Sequence, residues 1–516
     1  DKYHTDITFQ NIVQSGLDDP KVYQLLQKGY TQNIFQFSSK GMTKFLVSMQ
    51  PDKIEDLIAA NALFRPATLD SGSTDKYVDC KLGDADPVYL WGTYNAMKNT
   101  YGVLCYQEQL AQIAREVGKF SLGEGVKLVK LISKKKVDKI LALRDKFMAG
   151  ANENGCPKED AEAIWHMFEV AGGYLFNKSH ATAYAVTAYA GAYLKANYPT
   201  AFYTIALQWA KDDEIPTLMS EMELCSEAKI VPPDINVSGG TFITDYETNK
   251  IFWSLSRIKM LGAKATEWII NERNVRGEFS SIENFIERIF RYKLKLYKYW
   301  DDPDNPNEAT KCPVNARHVR HLILSGCFDK VENAQSVIER YAILEKAAKC
   351  LGFEISEKDI PEDLRNKHYF WSQQQIAISG IGAIDYKRIY DNSEAKPQIK
   401  GKASWALLKN IQDPDYDGKR VAICANIVDI EEKKFKDKKT GENRVFCKLL
   451  LQQNNDLVEM VIWNDEWMNV RATLCKGGSL SSAKNKMLIC SAQVKYSDYT
   501  GGNNLQLYKS SIIDIL

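Results

Sequence analysis

The spacing of the hydrophobic residues changes along this chain, and that change limits the folds open to it. In the first half, for example from Arg115 to Ala171, hydrophobic residues recur every three or four positions, as on one face of an α-helix. Beyond Gly418 the pattern becomes that of short β-strands separated by polar turns. We therefore expect a mostly α-helical chain that ends in a β domain.

The β part has a specific predicted order. Five strands are expected, with one helix between the third and the fourth, which is the order of an OB-fold. The predicted strands are Arg420 to Asp429, Arg444 to Gln452, Leu457 to Trp463, Met487 to Val494 and Leu505 to Lys509, and the helix is Asp465 to Leu474.

Length and local composition predict several domains. A chain of 516 residues exceeds one compact core, so two to four domains are expected. The sequence pattern changes from helix to loop and short strand around "VPPDINVSGGTF" (Val231 to Phe242), where we place a domain boundary. A further amphipathic helix is predicted from Ala334 to Leu351, closed by Gly352.

Charge is uneven in a chain whose formal net charge is +1. Nine Lys or Arg and three acidic residues lie between Lys119 and Lys146, and "KKFKDKK" (Lys433 to Lys439) is a second basic cluster. Such clusters favour a bound polyanion. Solvated helix faces and loop tips are the alternative for each cluster alone.

No stretch is long and apolar enough for a membrane span, and the start "DKYHTD" is not a signal peptide. The eleven cysteines are scattered singly without a CxxC pair, which favours reduced thiols in a cytoplasmic protein and argues against structural zinc. The first residue is Asp1 rather than methionine, so we expect that the natural N-terminus is missing.

Four separated segments carry a family resemblance. They are "LDDPKVYQLLQKGYTQNIFQFSSKGM" (Leu17 to Met42), "YGVLCYQEQLAQIAREVGKFSLGEG" (Tyr101 to Gly125), "AGGYLFNKSHATAYAVTAYAGAYLKANYP" (Ala171 to Pro199) and "VPPDIN" (Val231 to Asn236). Their order and spacing resemble the bacterial C-family replicative DNA polymerase, the DNA polymerase III alpha subunit. The resemblance covers residues 15–290 and returns at "VNARHVRHLILSGCFD" (Val314 to Asp329).

The resemblance implies a domain plan. Residues 1–235 are expected to form the polymerase fingers and residues 236–352 a tandem helix-hairpin-helix region that binds DNA. Residues 353–417 would be a connector, and residues 418–516 the OB-fold that binds nucleic acid. The expected fold class is thus multidomain, with helical fingers and a helix-hairpin-helix region before a C-terminal all-β OB-fold.

The fingers of this family face the incoming deoxynucleoside triphosphate (dNTP), so cations and backbone donors are expected there. Asn177 or Ser179 can cap the helix that follows, and its N-terminal amides, with Lys178 and His180, would hold phosphate. The alternative is a capped helix in which His180 bonds a backbone carbonyl and Lys178 is solvated. We expect the helix around Tyr184, Tyr189 and Tyr193 to pack in the core rather than to stack on bases.

Further cations follow from the resemblance. Lys40 and Arg65 occupy positions where the family has cations facing the nucleotide or the template; Lys40 replaces a more usual arginine and loses its bidentate geometry. Where the family has an arginine pair, this chain has Val129 and Lys130. The phosphate contacts expected on this stretch come from Lys130, Lys134, Lys135 and Lys136.

Two DNA-binding surfaces are expected downstream. In "IKMLGAKA" a helix-hairpin-helix would present Gly262 and Lys264, but Met260 stands where the first hairpin glycine is expected, which puts the approach of the amides to phosphate in doubt. "ISGIGAIDYKRI" (Ile378 to Ile389) is a weaker second candidate for such a hairpin.

The OB-fold would bind single-stranded template by stacking and charge. About half of its aromatic candidates should point into the barrel, because side chains alternate along a strand. The candidates are the aromatic residues Phe435, Phe446, Trp463, Tyr496 and Tyr499 and the lysines Lys433, Lys434 and Lys495.

The catalytic metal is expected elsewhere. The palm of the family holds magnesium (Mg2+) on aspartates, and close pairs such as Asp84 and Asp86 fall where the family has variable loops. The chain would then be the C-terminal part of a replicative polymerase, with primer-template DNA, dNTP, single-stranded template, the sliding clamp and other replisome proteins as partners. The alternative is a non-catalytic DNA-binding subunit.

Overall fold

The computed structural model of this chain is described over most of its length. It covers residues 7–133, 137–172, 174–290, 312–382, 386–391, 393, 395–399, 401–436, 442–454, 456–475, 478–484, 486–497, 502–507 and 513–515. The chain divides into two compact units, residues 1–202 and 203–516. The predicted domain boundary near residue 235 and the four-part plan stay predictions.

The first unit is helical over its described residues. Its helices are α1 (Phe9–Gln14), α2 (Pro20–Gln27), α3 (Lys40–Met49), α4 (Ile54–Leu63), α5 (Pro66–Asp70), α6 (Ser73–Leu82), α7 (Tyr94–Met97), α8 (Gln107–Glu116), α9 (Leu122–Ser133), α10 (Val137–Glu153), α11 (Lys158–Ala171) and α12 (Lys178–Asn197), and α13 (Pro199–Trp209) begins in it.

Helix α12 is the central element of this unit because of its small residues. Ala181, Ala185, Ala188 and Ala192 are fully buried at three- and four-residue spacing, so the neighbouring helices α2 and α4 can approach its backbone closely. Tyr189 is also fully buried, and its hydroxyl accepts the backbone N–H of Asp19 at 2.8 Å. For Tyr189 the predicted core packing is confirmed. A second cluster of buried side chains joins α8, α9, α10 and α11.

The second unit continues with helices and a small sheet. The helices are α14 (Ile215–Cys225), α15 (Ala263–Arg276), α16 (Ile282–Ile289), α17 (Ala316–Leu324), α18 (Arg340–Leu351), α19 (His368–Ser379), α20 (Tyr386–Asp391) and α21 (Ala395–Ile399). Strands β1 (Lys229–Val231), β2 (Ile243–Asp245) and β3 (Lys250–Phe252) form a sheet in the order β1-β3-β2. The predicted helix at Ala334 begins as a 3-10 turn and is α-helical from Arg340 to the left-handed Gly352.

The β part confirms the predicted element order. Its elements are β4 (Ser404–Trp405), β5 (Arg420–Lys436), β6 (Asn443–Gln453), β7 (Asp456–Trp463), α22 (Asn464–Cys475), β8 (Met487–Ser497), β9 (Gly502–Gln506) and β10 (Ile513–Ile515). Strand β5 pairs antiparallel with both β6 and β8, and β9 pairs antiparallel with β8 and parallel with β7. The five longer strands therefore close on themselves, with helix α22 between β7 and β8.

The closed sheet surrounds its own core. Buried residues of β5 to β9, among them Ile423, Leu449 and Met460, pack with Trp467 of α22. The Trp467 indole N–H donates to the Glu432 carboxylate at 2.7 Å, which satisfies its one polar atom. Within the described part of the chain, no helix has the length and apolar character to cross a bilayer.

Candidate nucleic-acid interface

The starts of α8 and α12 lie side by side because two short segments are hydrogen-bonded. The backbone N–H of Phe176 donates to the Cys105 carbonyl at 2.9 Å, and the N–H of Gln107 donates to the Phe176 carbonyl at 2.9 Å. The Gln109 side chain then caps α8, accepting the N–H groups of Cys105 and Tyr106. The segments "YGVLCYQEQ" and "YLFNKSH" thus build one site.

Two backbone donors at the start of α12, the N–H groups of Lys178 and His180, have side-chain acceptors within the protein. Asn177 Oδ1 accepts the N–H of His180 at 2.9 Å and the hydroxyl of Ser179 at 2.6 Å. The Glu108 carboxylate accepts the Lys178 N–H and the Asn177 side-chain amide, each at 2.9 Å. The predicted cap by Asn177 is confirmed, and these two amides are not left open for a phosphate.

Lys178 and His180 extend from this start over aromatic rings. Lys178 Nζ lies 5.5 Å from the centroid of the Tyr106 ring. The His180 ring is 5.5 Å from Phe176 and 4.1 Å from Tyr184, centroid to centroid. His180 is exposed and Lys178 half-buried, so both side chains can reach a ligand beside the helix.

Arg65 holds the segment before α12 from the other side. Its Nε donates to the Ala62 carbonyl at 2.8 Å, its Nη2 to the Tyr174 carbonyl at 2.5 Å, and its guanidinium lies 4.5 Å from the Phe176 ring. Burial lowers the pKa of Arg65 from its ordinary value. Arg65 therefore lies at the predicted site, where it binds the backbone carbonyls of Ala62 and Tyr174.

Lys40 is the first residue of α3 and is exposed. The next residue, Gly41, lies against Phe64: a Cβ at Gly41 would be 2.7 Å from Cζ of that ring. Since Phe64 precedes Arg65, the start of α3 lies beside the segment that carries Arg65.

Glu108 is the residue of this site that sequence analysis missed. It also lines a cavity of about 360 Å3 between α8 and α9, with Asn177, Arg115 and Val129 among the other lining residues. Val129 stands where the resemblance expects an arginine, so one wall of this cavity is apolar. The signal that could have found Glu108 is its place in the resemblance segment Tyr101 to Gly125.

In the basic cluster between Lys119 and Lys146, some of the cations pair with acidic side chains. Lys130 is exposed in the last turn of α9, and its phosphate contact stays a prediction. Lys134, Lys135 and Lys136 lie outside the described residues. Lys119 lies 3.5 Å from the Glu153 carboxylate and Lys146 pairs with Glu124, so two of the cations in the cluster are already balanced by acids.

The predicted helix-hairpin-helix keeps its hairpin despite Met260. Met260 adopts a left-handed backbone with φ +72°, and its side chain is 59% exposed at the tip. Gly262 is the N-cap of α15, which has no side-chain cap hydrogen bond. A Cβ on Gly262 would meet no atom within 4 Å, and Lys264 in the first turn is exposed. This helix start is open.

The weaker candidate at Ile378 to Ile389 packs against this hairpin. Helix α19 ends at Ser379 with left-handed Gly380 as its C-cap. The Ile378 carbonyl accepts the Lys259 N–H at 2.9 Å. Residues 383–385 lie outside the described residues, so a second hairpin there stays a prediction.

Three aromatic rings form a cluster on the outer face of the closed sheet. Phe435, Phe446 and Trp463 lie on neighbouring strands with centroids 5.3 to 5.8 Å apart. Trp463 is 41% exposed and the two phenylalanines are half-buried. The expectation that half of the aromatic candidates point inward is wrong for these three.

A β-bulge explains the position of Phe435. The pairing of β5 with β6 shifts between Ile427 and Asp429, so the positions of β5 that face the core of the closed sheet change from odd to even numbers, as Ile427 and Ile430 show. Phe435 therefore joins Phe446 and Trp463 on the outside. Regular alternation would have turned it inward.

The lysines near this cluster differ in their surroundings. Lys434 and Lys495 are exposed, whereas Lys433 lies 3.1 Å from the Glu431 carboxylate. Tyr496 is 58% exposed, and Tyr499 lies outside the described residues. The predicted surface therefore has its charge and its rings on one sheet, with Lys433 partly neutralised.

Two family models match parts of the chain. The family model for the bacterial DNA polymerase III alpha subunit finger domain matches residues 1–155, and that for a helix-hairpin-helix motif matches residues 227–298.

Curated relatives extend the match along the chain. The DNA polymerase III subunit alpha of Aquifex aeolicus is 35% identical over 340 residues, which is 65% of this chain and 27% of that protein. The Escherichia coli K12 protein of the same name is 28% identical over 522 residues, 97% of this chain and 42% of that protein. The chain thus spans less than half the length of these relatives. Together the family models and the relatives support a fragment of a bacterial C-family DNA polymerase alpha subunit.

Proposed function

We propose that this chain provides the dNTP, duplex and single-stranded template contacts of a C-family replicative DNA polymerase. The observation that carries the nucleotide part is the meeting of His180 and Arg65 on the Phe176 ring, with Lys178 over the Tyr106 ring, at the joined starts of α8 and α12. Two cationic or proton-donating side chains lie there at a surface, and the third holds the backbone beneath them. That arrangement suits a ligand rich in phosphate oxygens.

The side chains, rather than the helix amides, carry the phosphate contact. Glu108 and Asn177 already accept the N–H groups of Lys178 and His180, so a triphosphate would meet the Lys178 ammonium and the His180 imidazole. Arg65 acts through the backbone, since its bonds to the carbonyls of Ala62 and Tyr174 fix the approach to α12. Lys40 is proposed to face the nucleotide or template from the start of α3.

Duplex DNA is proposed to lie across the helix-hairpin-helix. The open start of α15, with Gly262 and Lys264, offers backbone donors and a cation to a phosphate without reading bases. Lys130 would add a contact from the first unit, together with the proposed Lys134, Lys135 and Lys136.

Single-stranded template is proposed to bind the C-terminal sheet. Its pairing order and the helix between the third and fourth long strands support its assignment as an OB-fold. Bases would stack on Phe435 and Trp463 while Lys433, Lys434 and Lys495 meet the backbone phosphates.

The catalytic metal is proposed to come from a palm outside this chain. Across the residues that the structure describes, no group of three His, Cys, Asp or Glu side chains could hold a metal ion. The sliding clamp and other replisome proteins remain proposed partners. A cytoplasmic location is proposed as well, and the eleven free cysteines support it.

The test is kinetic and uses the complete polymerase, with this chain joined to the palm. Lys178→Glu is expected to raise the KM for dNTP at least about tenfold or to abolish incorporation, because it places a negative charge beside the phosphates. Lys76→Glu, at an exposed position of α6, makes the same charge change as a control.

Two other results have distinct meanings. Unchanged kinetics in Lys178→Glu would remove that residue from the nucleotide site. A wild-type chain that binds duplex in a salt-dependent manner but gives no incorporation with any palm would favour the non-catalytic DNA-binding subunit.

A further inference from the structure

The hairpin before α15 adopts a backbone that its sequence does not favour. Met260 has φ +72°, a region in which a side chain costs roughly 1 kcal/mol or more compared with glycine. The hairpin has two hydrogen bonds of its own. The Leu261 N–H donates to the Ile258 carbonyl at 3.0 Å, and the Gly262 N–H donates to the Met260 carbonyl at 3.1 Å. A contact from outside the hairpin is therefore needed to keep this conformation dominant.

Helix α17 supplies that contact through His321. His321 Nδ1 lies 2.5 Å from the Lys259 carbonyl oxygen, and because a carbonyl only accepts, this nitrogen carries the proton. His318 lies on the same helix, close to the backbone of Met260, and its Nδ1 accepts the Asn315 N–H at 3.3 Å. Helix α17 thus holds the hairpin at the Lys259 carbonyl, with His318 beside the tip.

The placement of the two imidazoles follows from helix geometry. Residues 318 and 321 are three apart, so both side chains lie on one face of α17. The cap of α17 supports the first of them, since Asn315 Oδ1 accepts the N–H groups of Arg317 and His318. The opposite edge of the hairpin is held by the bond from the Lys259 N–H to Ile378.

We propose that His321 is a positioning residue for the phosphate-binding hairpin, with His318 beside it. By holding the Lys259 carbonyl against α17, His321 keeps the tip in its left-handed form and the uncapped start of α15 turned outward. It takes over the conformational role that a glycine at position 260 would have. This inference rests on the proposed binding of duplex DNA by the hairpin.

The first experiment compares two substitutions in the full chain. His321→Leu removes the donor, whereas His321→Asn keeps an N–H group close to the position of Nδ1. We expect His321→Leu to weaken duplex binding about fivefold, the effect of one lost hydrogen bond, and to speed amide hydrogen exchange in residues 258–262. His321→Asn should restore both within about twofold. His166→Leu, at an exposed histidine of α11, is the control.

A double substitution tests the link to Met260. Glycine adopts φ +72° without strain, so Met260→Gly should recover most of the affinity that His321→Leu loses. Unchanged affinity and unchanged exchange in His321→Leu would overturn the inference, and so would a loss that neither His321→Asn nor Met260→Gly repairs.

The two proposals fail in different ways. If the wild-type chain does not bind duplex DNA at all, the proposed function of the hairpin fails. The exchange rates of residues 258–262 in the free protein still decide whether His321 holds it.

Discussion

The starts of two helices, α12 and α15, differ in what meets their first backbone amides. At α12 the side chains of Asn177 and Glu108 accept these N–H groups. At α15 the N-cap is Gly262, no side chain caps the helix, and the space around Gly262 is open. A polar sequence at a helix start can satisfy its own amides, while a glycine leaves them available to a ligand.

This difference suggests two modes of binding phosphate in one chain. The α12 start offers two side chains, Lys178 and His180, on an internally bonded scaffold. The α15 start offers backbone donors, with Lys264 beside them. The first suits a ligand that enters and leaves in each cycle, and the second suits a duplex backbone that slides past.

Adding a capping side chain at the start of α15 should have the largest effect. Gly262→Asp adds a cap at a backbone that accepts any residue (φ −68°, ψ 167°), so it should stabilise the protein by roughly a few tenths of a kcal/mol. The same carboxylate should repel phosphate and weaken duplex binding about tenfold or more, measured by fluorescence anisotropy at fixed salt. Gly123→Asp, in the first turn of α9 where space is also open, adds the same charge elsewhere. If both variants lose affinity equally, α15 is not the phosphate site.

Removing the Glu108 acceptor from the start of α12 is expected to have a smaller effect. Glu108→Ala leaves the Lys178 N–H and the Asn177 amide without their acceptor and should lower the free energy of unfolding by about 1 kcal/mol, measured by urea denaturation. Glu108→Gln keeps an acceptor oxygen and should lose less. Equal stability in all three proteins would show that this carboxylate does not secure α12.

On the outer face of the C-terminal sheet, the proposed contacts to single-stranded DNA come from side chains and not from backbone amides. Neutralising Lys433 and Lys434 to Gln should weaken single-strand binding about threefold and reduce the salt slope by roughly 0.7 to 1.4. The lower value applies if the Glu431 partner already balances Lys433. Lys484→Gln is the control, because Lys484 pairs with Asp429 at 2.6 Å. A slope equal to that of the wild type would remove these lysines from the binding surface.

The smallest effect expected is a pH dependence of protein stability that comes from the two histidines beside the hairpin. Burial lowers the pKa of both His318 and His321, so the unfolded chain binds protons at a higher pH than the folded one. Stability should therefore rise with pH up to the ordinary histidine pKa and fall on acidification. The change should be under about 1 kcal/mol because both rings are partly exposed. Urea denaturation at several pH values should show a flatter profile in a variant with both residues changed to Asn, and an identical profile would contradict this assignment.

Local patterns in the sequence predict the elements well. The order of five strands and one helix, the cap by Asn177 and the hairpin at Gly262 each depend on residues near in sequence, where spacing and turn chemistry decide. The burial of Tyr189 follows from its place on a helix of small residues.

The contacts that complete each site come from distant segments. Glu108 reaches the start of α12 from 70 residues away, and His321 reaches Lys259 from 62 residues away. Propensity and spacing carry no information on such pairs. The bulge after Ile427 likewise changes which side of the sheet Phe435 occupies, and a single shift in register cannot be read from alternation.

Hydrogen exchange of the full chain, measured with and without duplex DNA, tests the difference between the two helix starts most directly. The account predicts that the amides of residues 263–265 exchange fast in the free protein and slow strongly on binding. Those of residues 178, 180 and 181 should be slow already and change little. Strong new protection at residues 178, 180 and 181, with none at residues 263–265, would contradict it.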